Sequence, residues 1–263
     1  MKRTGIFSFT NKSRKSSFIS LVSLFAAFNV ICDLLLSSPM LPSGVWFSWI
    51  FIVTPISGIL LGPYAGFLSS LIGVMVGHSI VFRGSEEFLF TLGAPLGAMI
   101  SGLLFRGRSW EVLICYLAMF GAFFASPVAW QLPLWCMWDT FLALGLLLSI
   151  VVLMQKWRGA LDTREEAKLL YILALCAIIG LEADVLYRIM VLVPGQAYQL
   201  IFEWDLTALQ GVFLYGAGET PIKVALATLV TIIIGPPILL AVRKAGLLST
   251  GNSLLEKASQ RLH

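Results

Sequence analysis

The chain has 263 residues, 58% of them apolar and only 12% Asp, Glu, Lys or Arg, with a net charge of +4 and a mean hydropathy of +0.90. A water-soluble domain carries about 25% charged residues, so half that share cannot cover a hydrated surface of this size. Soluble enzymes, nucleic-acid binders and disordered chains are excluded, and an all-α polytopic membrane bundle remains, with lipid solvating most of its exterior.

A helix rising 1.5 Å per residue needs about 20 apolar residues to cross the hydrocarbon core. Runs of this kind predict about eight spans, over 18–36, 45–61, 63–82, 88–105, 112–127, 134–154, 169–193 and 222–242. The second and fourth are short and rich in Gly and Pro, which predicts tilted, broken or partly re-entrant helices. A weaker stretch over 198–215 carries Glu203 and Asp205 and reads as an amphipathic cap outside the membrane. The chain therefore divides into a basic N-terminal segment (1–17), one transmembrane domain (18–244) and a C-terminal tail (245–263). A secretory signal is a rival reading of the N-terminus, but an apolar run of about 19 residues with no small-x-small site after it exceeds a typical signal core.

Lys and Arg collect on the cytoplasmic side of membrane proteins. With eight spans and both termini cytoplasmic, that side holds 15 of the 18 basic residues. Arg83, Arg188 and Lys223 fall toward the other face, with nine acidic residues: Asp33, Glu86, Glu87, Asp139, Glu182, Asp184, Glu203, Asp205 and Glu219. The outer half is acidic, and a multi-pass protein of the cell membrane is the expectation.

Small residues at four-residue spacing let helices approach closely in lipid. Ser23 and Ala27 form such a pair on the first helix, Gly62, Gly66, Gly73 and Gly77 along the third, and Gly93, Gly97, Ala94, Ala98 and Gly102 on the fourth. Packing within the chain explains the third and fourth helices; Ser23 and Ala27 leave intramolecular and intermolecular contact open. Ionisable groups inside a membrane cost at least about 2.5 kcal/mol each at the centre, so those that persist face a cavity or a partner. Glu182, Asp184, Tyr187 and Arg188 cluster on the seventh helix, and Asp184 and Arg188, four apart, share a face suited to an ion pair. Either that pair is self-contained or it belongs to a binding site. Asp33 and Asp139 lie near helix ends, where snorkelling to the interface is the simpler reading. The Trp and Tyr residues of the outer half, Trp204 among them, fit an interfacial belt or, with the carboxylates, a pocket for a cationic or ring compound.

Motifs for chemistry are missing. There is no GxxxxGK[ST] phosphate loop, no HExxH and no Gly-x-Ser-x-Gly, and the two histidines are His78 and His263. Cys32, Cys115, Cys136 and Cys176 stand singly in apolar runs and read as packing residues. No cofactor, metal site, catalytic residue or nucleic-acid partner is expected.

Four stretches resemble the substrate-binding S components of energy-coupling factor (ECF) vitamin transporters. Ser-Leu-Phe-Ala-Ala at 23–27 resembles the small-xxx-small signature of their first helix, and Leu-Leu-Gly-Pro-Tyr-Ala-Gly-Phe-Leu-Ser-Ser-Leu-Ile-Gly at 60–73 the Gly-Pro-x-x-Gly start of their third. Phe-Leu-Phe-Thr-Leu-Gly-Ala-Pro-Leu-Gly-Ala-Met-Ile-Ser-Gly-Leu-Leu-Phe-Arg at 88–106 is similar to their fourth, and Glu-Thr-Pro-Ile-Lys-Val-Ala-Leu-Ala at 219–227, running to Arg243 and Lys244, to their last. The resemblance covers about half the chain. It implies a membrane-embedded receptor that captures a vitamin-like small organic solute from outside and docks on a transmembrane coupling subunit driven by two cytoplasmic ATPases. It also implies that Ser23, where the family has Ala, and Ala27 contact the coupling subunit. The solute site would be built from the loop after the first helix and from Asp139, Glu182, Asp184, Tyr187, Arg188, Trp204 and Glu219. The family has six spans; the two extra ones lie over 111–155. The few histidines argue against its nickel and cobalt branch. An autonomous ion-coupled carrier using Glu182, Asp184 or Asp139, and a structural or assembly role, are the rival readings.

Overall fold

A computed structural model of the protein describes residues 12–35, 48–82, 84, 86–156 and 165–244. The expected loop after the first helix (36–47), Arg83, most of the basic N-terminal segment and the tail 245–263 lie outside the described residues. These form nine α-helices with no strand among them: α1 (Lys12–Leu34), α2 (Ile50–Leu61), α3 (Pro63–Ile80), α4 (Gly93–Phe105), α5 (Ser109–Ala125), α6 (Trp138–Lys156), α7 (Glu165–Leu192), α8 (Ala197–Leu200) and α9 (Leu206–Lys244). Short 3₁₀ turns at Glu86–Phe90, Ala129–Gln131 and Leu134–Met137 precede α4 and α6. Five segments, Pro63–Ile80, Glu87–Phe105, Leu134–Val152, Leu169–Leu192 and Leu206–Val242, are long and apolar enough to cross a membrane, and Phe18–Leu34, Ile50–Leu61 and Ser109–Ala125 are apolar but shorter.

Successive helices run back and forth between two ends of one bundle. Asp33, at the end of α1, meets His78 at the end of α3. The Arg106 guanidinium, after α4, lies over Gly62 between α2 and α3. The first is here called the acidic end and the second the basic end.

Local sequence explains the sharp reversals. Gly62 adopts φ +88°, which an L side chain rarely tolerates, and Pro63 opens α3 where its missing N–H costs nothing, so α2 turns into α3 through one residue. At the end of α4, Gly107 (φ +72°) donates to the Leu104 carbonyl at 2.8 Å while Arg108 N–H donates to Leu103 at 2.9 Å, a Schellman closure. Glycines also let helices touch: a Cβ on Gly180 of α7 would strike the Ser101 hydroxyl and the Gly97 carbonyl of α4, and one on Gly77 of α3 would strike the Asp33 carboxylate. Ser101 donates to the Cys176 carbonyl at 2.9 Å across the α4–α7 contact. The stripes on α3 and α4 thus serve packing within the chain, as expected.

Three differences from expectation have clear causes. The fourth predicted span is interrupted: residues 86–90 wind as a 3₁₀ turn, and regular helix starts only at Gly93. The 198–215 stretch, expected as a separate cap, instead divides between α8 and the start of α9, which runs on without a break into the expected last span, and Glu219 pairs with Lys223 one turn on along that helix. At 39 residues, α9 is about 58 Å long, well beyond the roughly 30 Å hydrocarbon core. Finally, Asp33 does not snorkel: it is 1% exposed, beneath α3, with its carboxylate 3.7 Å from His78 Nε2.

Pro221 lies inside α9 and lacks the N–H that would bond the Ala217 carbonyl. The Trp138 indole, at the start of α6, donates to that carbonyl instead at 3.1 Å. The next residue, Asp139, hydrogen-bonds Thr220, so two neighbouring contacts clamp the start of α6 onto the proline-interrupted part of α9.

Candidate functional site

A short helix and a long one frame a cavity. α2, at 12 residues, is only about 18 Å long, whereas α7, at 28 residues, runs about 42 Å. α2 is buried along nearly all its length and starts below the acidic end, where Trp49 N–H donates to the Cys32 carbonyl of α1. The recess over its first turn is a cavity of about 170 Å³ between Ser48, Ile50 and Phe51 below, α7 on one side, and α9 with the start of α6 on the other. A space near 150 Å³ admits a benzene ring, so this one accommodates a single ring or a body of similar size.

Four of the seven candidate residues line it: Asp139, Asp184, Arg188 and Glu219. Asp184 and Arg188, one turn apart on α7, form the ion pair their spacing predicts, Nε to Oδ1 2.8 Å. Glu219 pairs with Lys223 on α9. Asp139 is different. It is buried, at 6% exposure, and does not snorkel as its place near a helix end implied. Its partners are neutral: the Thr140 N–H donates to Oδ1 at 2.8 Å, and the Thr220 hydroxyl reaches Oδ2. That hydroxyl also lies 2.8 Å from the Gly216 carbonyl, so one proton serves two acceptors. Asp139 lies in the first turn of α6, where the helix N-terminus favours negative charge.

The other three candidates stand apart from the cavity. Glu182 faces the core at 2% exposure, close enough to Asp139 and Asp184 to interact with their charges, and its Oε2 has no hydrogen-bond partner among the described residues. Tyr187 donates its hydroxyl to the Leu89 carbonyl at 3.1 Å, tying α7 to the turn before α4. Trp204 stacks on Phe202 with centroids 4.5 Å apart, Phe202 stacks on Phe90 at 6.0 Å, and the Arg188 guanidinium lies 5.7 Å from the Phe90 ring centre. It therefore reaches the site only through two rings. Trp130 and Trp135 are 65% and 64% exposed, in keeping with an interfacial belt.

Thr220 and Lys223 belong to the site and were missed. The i, i+4 spacing of Glu219 and Lys223 was an available signal; nothing local connects Thr220 with Asp139, 81 positions away. Ser23 and Ala27 are both exposed on α1, whose opposite face packs on α3 and α2.

Fold and site together define an all-helical bundle with several helices apolar enough to cross a membrane and a charged cavity at its acidic end. Compared with protein-family models, curated proteins and solved structures, the chain matches none.

Proposed function

We propose that this chain is a solute-binding subunit of the ECF S type, which takes up a vitamin-like small molecule in the plasma membrane of a prokaryote and has no catalytic chemistry of its own. In this reading the chain passes eight times through the membrane, six of them an S-component-like core, with both termini in the cytoplasm and the acidic end outside. The observation that carries it is the cavity, which brings together Asp139, Asp184, Arg188 and Glu219 from three helices far apart in sequence. A ligand site of few charged groups in an apolar recess is the usual form of a small-molecule pocket. Supporting it, Ser23 and Ala27 stand exposed on α1, open to close approach by a coupling-subunit helix.

Co-expression with ECF coupling and ATPase subunits tests this: the chain co-purifies with them and liposomes holding the complex take up solute only with internal or external ATP on the ATPase side. A chain that never associates refutes it. The ion-coupled carrier is the second reading, favoured by the buried Glu182 Oε2, which has no hydrogen-bond partner among the described residues; uptake by the chain alone under an ion gradient selects it.

A further inference from the structure

The cavity also carries information about the charge of what enters it. Both cations in its lining are neutralised within the chain, Arg188 by Asp184 and Lys223 by Glu219. Arg188 lies in addition within the fields of Glu87 and Asp33, and behind the wall Glu182 adds a further carboxyl beside Asp139. Among the described residues the lining itself holds three acidic side chains, Asp139, Asp184 and Glu219, against two basic ones, Arg188 and Lys223. The segment 36–47, which precedes Ser48 in the lining, contains no charged residue, so it leaves this imbalance unchanged. Of the lining carboxylates, only Asp139 has no cationic partner among the described residues, its contacts being a hydroxyl and an amide N–H. Among the described residues an anionic ligand finds no lining cation outside an existing ion pair, whereas a cationic one finds Asp139 without a cationic partner. The remaining walls, with Phe51, Phe213 and Met137, are apolar and suit a ring or compact hydrocarbon body.

We propose that the cavity selects a small organic monocation, a protonated amine on a body about the size of one ring, and that Asp139 holds its charged nitrogen. This inference rests on the cavity being the solute site. It does not depend on the coupling subunit.

Three isosteric probes test it on the full chain purified in detergent: benzylammonium, benzyl alcohol and benzoate, with affinity read by calorimetry and by the shift in thermal unfolding. The expected order places benzylammonium about tenfold or more ahead of the other two, a gap of about 1.4 kcal/mol, and Asp139→Asn removes that gap. Glu203→Gln, at an exposed acidic residue away from the cavity, leaves it intact. Equal or tighter binding of benzoate, an unchanged preference in Asp139→Asn, or no binding of any probe overturns the proposal. The wild-type order decides the matter even if Asp139→Asn does not fold. Benzoate preference in a chain that still joins the coupling subunit refutes the cation alone, whereas cation binding without that association refutes the transporter assignment alone.

Discussion

The clamp at Pro221 allows a quantitative test. Removing the Trp138 indole N–H by Trp138→Phe leaves the Ala217 carbonyl without a donor, because Pro221 cannot supply one. Interhelical hydrogen bonds in membrane proteins average about 0.6 kcal/mol and reach about 1.7. Trp138 is 47% exposed, so interfacial water recovers part of the loss. Trp138→Phe also removes ring area, and that loss is common to any background. Pro221→Ala restores a backbone N–H to the helix ladder and makes the indole redundant. The expected coupling in the four-protein cycle is therefore about 0.5–1.5 kcal/mol, with Trp138→Phe more costly beside Pro221 than in the Pro221→Ala background. Reversible unfolding in mixed micelles against denaturing-detergent fraction, followed by circular dichroism, measures it. Equal losses in the two backgrounds refute the substitution of indole for amide.

Other perturbations read different parts of the bundle. Gly180→Val drives side-chain carbons into Ser101 and the Gly97 backbone, and is expected to cost about 3 kcal/mol or to abolish folded protein, seen as loss of a monodisperse peak in size-exclusion chromatography. Glu182→Leu replaces a buried carboxyl with an unpartnered oxygen by an apolar side chain of similar size, and is expected to raise stability by about 1 kcal/mol in the same unfolding assay; a large loss would point to a bound partner for that group. Asp184→Ala leaves the Arg188 guanidinium, 30% exposed, without its nearest carboxylate and is expected to cost about 2 kcal/mol, below the cost at a fully buried pair. Paired Leu substitutions at Ser23 and Ala27 face outward and are expected to change stability by less than about 0.5 kcal/mol while blocking co-purification with the coupling subunit.

What the sequence revealed and what it hid follow one division. The all-helical class and the rough positions of the apolar helices were legible because length and apolarity are properties of each segment separately, and the Asp184–Arg188 pair because it is set by the 3.6-residue period. The glycine stripes on α3 and α4 were legible for the same reason: spacing within one helix reports a face. Asp33 and Asp139 were misread because position along a helix says nothing about which neighbour covers the end; α3 covers the first, and α9 the second. The continuity of α9 through Pro221 was hidden as well, since the donor that reaches the Ala217 carbonyl there is an indole from another helix. The site's limits depended on contacts between α2, α6, α7 and α9, which no local pattern encodes.

The shortness of α2 has a consequence for how such a site changes. The cavity lies over the first turn of α2, whose 12 residues span about 18 Å, well short of the roughly 30 Å hydrocarbon core. Each residue added to or removed from the start of α2 moves the floor by about 1.5 Å. Depth is then adjustable without touching Asp139 or the ion pairs on the walls, so capacity and charge preference are separately evolvable, one by insertion and deletion, the other by substitution.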